Sequence, residues 1–410
     1  MTTQKTYINI ALVYLLLFTS GSYFYEHSSS KYLLLAFAAS LMVWLISDRS
    51  ISNRFVVYVA GFSSFLILIH FYTGGSLEFS SVIGTTLKLV TAYLIVKTVG
   101  DRFIGTYINV VVFLAAISLL GYLSDQLYLF DGLIKALPKI KGIDGAGPSY
   151  EGIFYLFRFQ EHLERNNSIF YEPGAYQIFL NAALFMLFFV KTNISRNRQW
   201  LYILILTLVL ATTRSTTGYL IFLVMLVFVL TKSKILSGSG KAILASSILL
   251  AAAGLSAQFQ KVIFEKIQDY FDVADITDQS NLRSFDVLVD LEIIKRHIFG
   301  VGYTEYLRQI STIGKVKEGQ TSSNGVTLAF AVYGLPFSLF LFTSYYLAFR
   351  RLLGPGILSF VAFVMLLIVL VGESYYLMVP YTLAIIAGAF VCNRKTEESA
   401  LANRAGLNRA

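Results

Sequence analysis

The sequence holds a single cysteine, Cys392, and only four histidines, which excludes a disulfide framework and any Cys/His structural metal cluster. Charge is also scarce. Asp, Glu, Lys and Arg make up 14% of the chain, against about 25% in ordinary soluble proteins. There is no Walker loop, no His-x-x-x-His and no Asp-x-Asp, so a nucleotide- or metal-dependent reaction is disfavoured and no cofactor is expected. No internal repeat with a period of about 20–50 residues is visible, nor a heptad or a Gly/Ser linker. What is abundant is apolar: 56% of the 410 residues are hydrophobic and 15% are aromatic. Such a chain belongs in a membrane.

Apolar runs long enough to cross about 30 Å of hydrocarbon fall near 7–22, 32–47, 55–73, 82–100, 104–123, 172–190, 324–349, 356–372 and 374–391. Three shorter runs lie at 200–213, 216–231 and 242–257. A backbone facing lipid must satisfy its own polar groups, so each run is expected to be helical. Tyr7 to Phe18 is followed by more membrane-like sequence and reads as a retained first span, not a cleaved signal. The expected fold is an all-α polytopic bundle of about twelve spans. Helices 1–5 occupy 1–123, a first outer segment 124–171, and helices 6–9 residues 172–257, with a short re-entrant-like hairpin at 200–231. A second outer segment covers 258–323, helices 10–12 cover 324–391, and 392–410 is a polar tail.

A formal charge of +9 could serve nucleic acid, but the distribution of the basic residues points to a membrane. With the N-terminus in the cytoplasm, the inner short loops and tail hold seventeen Lys and Arg, from Lys5, Arg49 and Arg54 through Arg350, Arg351 and Arg394. The outer short loops hold two, Lys31 and Arg214. This asymmetry places both termini in the cytoplasm and both long segments outside. In those segments acids nearly balance bases, so no nucleic-acid partner is expected.

Ionisable residues inside spans are costly and mark function by default. At about 1.5 Å per residue, Lys88 lies roughly 21 Å and Arg214 roughly 24 Å from the cytoplasmic face, short of the outer boundary. His70 comes out at a similar level and reads as a satisfied interior histidine. Glu172 and Glu373 fall near the outer boundary. The implied picture is a polar site at outer headgroup depth, built from separate helices, where cations would suit a lipid phosphate or diphosphate. For Lys88 the competing reading is snorkelling or an internal ion pair.

The outer segments add candidates. If Tyr150–Arg165 is helical, Arg158, Glu161, His162 and Arg165 form one polar stripe, either a sugar-phosphate surface or the solvated face of an interfacial helix. In the second segment a helix is expected from Asn281 to His297, stopped by Gly300-Val301-Gly302. Its Arg283, Asp286, Asp290 and His297 share one face, facing a cleft or simply water. Val287, Leu291, Ile294 and Ile298 form an apolar stripe expected to rest on the bundle.

Four stretches resemble the O-antigen polymerase (Wzy type) and O-antigen ligase superfamily: Tyr171-Glu172-Pro173-Gly174, Thr213-Arg214-Ser215-Thr216-Thr217-Gly218, Arg283 with Phe299-Gly300-Val301-Gly302, and Ser323-Asn324-Gly325 with Tyr333-Gly334-Leu335. The similarity runs from about residue 55 to 391 as the order of long and short elements. It implies a GT-C-like bundle in the bacterial inner membrane that transfers a glycan from undecaprenyl diphosphate to another lipid-linked repeat unit, without a metal. It also implies partners, a Wzx-like flippase and a Wzz-like chain-length regulator. Ligases carry a His before the Asn of the last stretch, where this chain has Ser323, which weakens the alternative of a ligase acting on lipid A core or protein. A third possibility is a secondary transporter. It is disfavoured by the large outer segments and by charges lying away from the midplane. Within the polymerase expectation, Arg214 and Arg283 bind the diphosphate, Lys88 is a weaker third cation, and Glu172 or His162 is the base.

Overall fold

The computed structural model describes residues 2–27, 29–47, 50–127, 139–140, 150–151, 158–159, 164–232, 282–314 and 322–392. Every apolar run on these residues carries a helix. The run at 242–257 lies outside them. In chain order the helices are α1 (Thr2–Phe18), α2 (Tyr23–His27), α3 (Ser29–Ser47), α4 (Asn53–Tyr72), α5 (Phe79–Val99) and α6 (Phe103–Gln126). They continue with α7 (Pro173–Phe189), α8 (Arg196–Thr213), α9 (Thr216–Lys232), α10 (Leu282–Arg296) and α11 (Tyr303–Gly314). The last three are α12 (Gly325–Leu353), α13 (Ile357–Gly372) and α14 (Pro380–Val391). Short 3-10 turns, Gly100–Arg102 and Ser374–Met378, precede α6 and α14.

Among the described residues, four helical stretches are long and apolar enough to cross a membrane: Ser29–Ser47, Asn53–Tyr72, Phe79–Gln126 and Gly325–Leu353. The third is α5 and α6 joined at Gly100, whose φ of 61° turns the chain. Large apolar side chains such as Leu35, Met42, Val57, Leu68 and Phe113 lie on the outside of these helices. Helices apolar on their outer as well as inner faces belong in lipid. The chain is an α-helical membrane protein.

Helix α5 packs on α3, α4 and α14, while α6 packs on α1, α7 and α8. Helix α7, buried along nearly its whole length, receives α8 on one side and α9 on the other. Helix α12 joins α13 and α14 to helices α10 and α11. The loops expected on the outer side meet at one end of this bundle. Tyr171 N donates to the Gly21 carbonyl at 3.1 Å, Asn166 N to Thr212 at 2.9 Å, Thr304 N to Ser76 at 3.0 Å, and Tyr381 N to Ser20 Oγ at 2.8 Å.

Three expectations are corrected. The stretch Tyr150–Arg165 is not one helix, because Tyr150–Glu151 and Arg158–Phe159 are strands of a small antiparallel sheet with Lys139–Ile140. Its aromatic content suits a strand, and Arg158 and Arg165, two members of the expected stripe of Arg158, Glu161, His162 and Arg165, do not share a helical face. The apolar stripe of α10 rests on the bundle only in part: Ile294 packs against it, but Leu291 and Ile298 are exposed, and the buried face is Asp286, Val289, Asp290 and Ile293. The span at 324–349 is broken at Gly334 (φ 78°, ψ 168°), ahead of Pro336.

The break in α12 is filled from outside. Carbonyls freed there accept from the stop after α10: Val301 N bonds Ala331 O at 3.1 Å and Gly302 N bonds Val332 O at 3.0 Å, while Leu335 N returns a bond to Ile298 O at 2.8 Å. A Cβ at Gly334 would collide with the Phe299 carbonyl and would sit at a positive φ. Gly334→Ala is therefore expected to lower the apparent melting temperature in detergent by several degrees, a loss of about 2 kcal/mol or more. Gly61→Ala, where a Cβ meets open space, should leave it unchanged.

Candidate functional site

The segment before α7 is laid across the α8–α9 turn. Asn166 and Thr212 are joined twice, by the backbone bond and by Asn166 Nδ2 to Thr212 Oγ1 at 3.1 Å. Beside them Arg165 Nε donates to the Thr213 carbonyl at 3.0 Å. Phe170 stacks on Phe179 with centroids 4.5 Å apart and anchors the other end. Burial pulls the Arg165 guanidinium below its ordinary value, and the carboxylates of Glu172, Glu164 and Glu373 act against it. The two carboxylates expected near the outer boundary, Glu172 and Glu373, thus share one electrostatic neighbourhood with Arg165.

Glu172 occupies the N-cap of α7 in extended conformation, yet its side chain makes no cap hydrogen bond. The anion at this helix start comes from elsewhere. A Cβ on Gly174, in the first turn, would collide with the Glu373 carboxylate, so that carboxylate lies against the positive end of the helix dipole. Its neighbours pin it there. A Cβ on Gly372 would lie 2.7 Å from Thr217 Oγ1 of α9, and one on Gly325 would lie 2.7 Å from the Cα of Ser374. The starts of α7, α9 and α12 therefore converge on Gly372-Glu373-Ser374.

Arg214 is the C-cap of α8, in the left-handed region with φ 48° and ψ 36°, and its side chain is exposed. The Tyr219 hydroxyl donates to Ala211 O at 2.7 Å and lies within the electrostatic reach of both Arg214 and Arg165. The cluster at this end of the bundle thus comprises Arg165, Glu172, Arg214, Tyr219 and Glu373.

A second cluster adjoins it through α12. Asp290 is fully buried and accepts from the Tyr306 hydroxyl at 2.7 Å and from Thr327 Oγ1 at 2.5 Å. Asp286 accepts from Ser323 N at 2.8 Å and Ser323 Oγ at 3.0 Å. The next residue, Asn324, caps α12 by accepting from Val326 N and Thr327 N, and Gly325 then meets Ser374. The acidic face of α10 is buried because it meets hydroxyls and a helix start, which reward carboxylates where an apolar core would not.

Burial pushes Asp290 up to about 6 from 3.8; bonds from Thr327, Tyr306 and Ser322 act against this, and Asp286 adds to it. A carboxyl whose folded value is raised stabilises most when protonated, and that contribution is lost as pH rises through the folded value. The titratable groups facing it are Asp286 and Tyr306. The docking of α10 should therefore weaken between about pH 4 and 6. Measured against Asp290→Asn, the apparent melting temperature of the wild type should fall across that window. Parallel curves would rule this out.

Arg283 is on the first turn of α10, where the backbone alone is described. His297 closes α10 and has Glu305 as a charged neighbour. Lys88 is half-buried on α5, whose principal neighbours are α3, α4 and α14 rather than the elements of the cluster. Arg158 is on a strand, and His162 lies outside the described residues. His70 is held by a 2.6 Å bond between Nδ1 and Leu77 O. Sequence reasoning missed Tyr219, which bonds back across its own turn, and Tyr306 and Thr327, whose partner Asp290 is distant in the chain. It also missed Gln177 and Asn181, which stood visible as amides inside an apolar run. No family model and no curated protein matches the chain at a significant level.

Proposed function

We propose that the chain polymerises undecaprenyl-diphosphate-linked oligosaccharide repeat units into O-antigen, capsule or exopolysaccharide. In this reading it is a Wzy-type glycosyltransferase of the bacterial inner membrane, with about twelve spans in a GT-C-like bundle. The termini are cytoplasmic and the cluster faces the periplasm. The observation that carries the reading is that Arg165 meets Glu172 and Glu373, and shares Tyr219 with Arg214, at one end of an apolar bundle. Two guanidinium groups beside the lipid suit a diphosphate headgroup, and a carboxylate beside them suits proton abstraction.

The reaction joins a sugar hydroxyl of one repeat unit to the anomeric carbon of a chain on a second lipid. The bond between that carbon and the diphosphate oxygen breaks, and the undecaprenyl diphosphate leaves with the electron pair. Arg214 and Arg165 stabilise its growing charge. Glu172 accepts the hydroxyl proton. Arg283 is assigned to the same headgroup, His162 remains an alternative base, and Lys88 is a weaker cation. Flippase and chain-length regulator are the expected partners.

Against the ligase alternative stands Ser323, committed to Asp286 where that family carries a histidine. The deciding experiment incubates purified protein in lipid nanodiscs with the lipid-linked repeat unit extracted from its own deletion strain. A ladder of products is expected. Single-unit glycan on the deletion strain marks a polymerase, and accumulated lipid-linked polymer marks a ligase. Lost uptake or export with normal glycan marks a transporter.

A further inference from the structure

Helix α7 carries two amides, Gln177 and Asn181, within an otherwise apolar run, and they are 0% and 2% exposed. Asn181 Nδ2 donates to Gln177 Oε1 at 2.9 Å and to the Gly218 carbonyl of α9 at 3.1 Å. Gln177 Nε2 and Asn181 Oδ1 find no hydrogen-bond partner among the described residues. Burying amides so incompletely satisfied in a membrane protein is costly, and leucines would fill the same space without that cost. Their retention therefore points to what they hold.

They hold the turn that presents Arg214. A Cβ on Gly218 would lie 2.9 Å from Gln177 Cβ, so only glycine lets the first turn of α9 settle onto the amide pair. Gly218 N donates to Ser215 Oγ at 3.3 Å, and Ser215 N to Thr213 Oγ1 at 3.4 Å, with Arg214 between them. Along α7, Gln177 follows Glu172 by little more than one helical turn, and along α9, Gly218 follows Arg214 by about one. The pair thus lies one turn beneath both functional side chains and fixes the register of one helix start against the other.

We propose that Gln177 and Asn181 are a positioning pair that sets Arg214 against Glu172. The consequence for turnover rests on the polymerase reading; the structural role does not. In a Gln177→Leu/Asn181→Leu variant both partners become apolar at similar volume, which is close to neutral for stability. Amides of residues 213–219 should exchange hydrogen at least about tenfold faster, while those of α5 do not change. Turnover should fall roughly tenfold to a hundredfold. In an Arg214→Lys background, where the planar fork is already gone, the same pair of substitutions should cost no more than about twofold. Gly218→Ala, which lifts the turn by another route, should show the same coupling. Unchanged exchange at 213–219 overturns the proposal, as does an equal loss in both backgrounds or a loss that tracks a fall in melting temperature. If the wild type extends no lipid-linked unit, the polymerase reading fails, and the exchange measurement still decides whether the pair holds the turn.

Discussion

Replacing Arg214 with glycine should leave the protein at least as stable as the wild type and, on the polymerase reading, remove chain extension. Arg214 is held at φ 48°, ψ 36° as the C-cap of α8, a position for which glycine is the usual occupant. A residue with a Cβ costs about 1–2 kcal/mol there, so Arg214→Gly relieves strain in the turn. The arginine side chain at this strained position is exposed at the end of the bundle where Arg165 and Glu172 also lie. If that side chain neutralises the departing diphosphate, losing it should lower turnover by at least a hundredfold. Arg214→Ala should be equally inactive without the gain in stability. Arg283→Ala, on the first turn of α10, is expected to abolish extension at normal protein abundance. A ladder of normal length from either arginine variant removes that residue from the site. A marked drop in melting temperature for Arg214→Gly would mean that the side chain holds the turn together instead.

The helices were legible because a membrane forces the issue. Wherever the chain is apolar over a sufficient length its backbone must bond to itself, so hydropathy alone located every described apolar helix. Arg214, Glu172 and Glu373, given similar heights by the helical rise, do come to the same end of the bundle. The same rise did not bring Lys88 to the cluster, because depth specifies height and not which side of the bundle a helix occupies. Arg165 reached the site by a route the sequence did not suggest. Its expected helix with Arg158 is replaced by strands, and its position is set by a bond to the Thr213 carbonyl, a partner with no local signature. The facing of α10 failed for a physical reason. An amphipathic pattern predicts the buried face only if the partner surface is apolar. Here the partner surface sets the hydroxyls of Ser323, Thr327 and Tyr306 beside apolar Ile310, Ala331 and Val332, so Asp286 and Asp290 turn inward together with Val289 and Ile293.

The two carboxylates of the cluster should separate cleanly. An acidic N-cap residue ordinarily spends its side chain on the first turn of its own helix, but Glu172 makes no such bond. That duty falls to Glu373, whose carboxylate lies against Gly174 at the start of α7. Glu373→Gln should therefore cost stability, about 0.3–1 kcal/mol for an anion at a helix start, with a modest fall in activity. Glu172 stands within reach of Arg165 and its carboxylate is not used to cap α7, as a proton acceptor requires. Glu172→Gln should leave the melting temperature unchanged and lower turnover by at least a hundredfold, the range for loss of a general base. Nanodisc assays with the lipid-linked repeat unit, run beside thermal unfolding of the same preparations, read both quantities. The opposite pattern, with Glu172→Gln unstable but active and Glu373→Gln stable but inactive, would move the base from the helix start to the Gly372–Ser374 segment. The attacking hydroxyl would then have to approach from the α12 side, past Asn324 and the buried acids of α10.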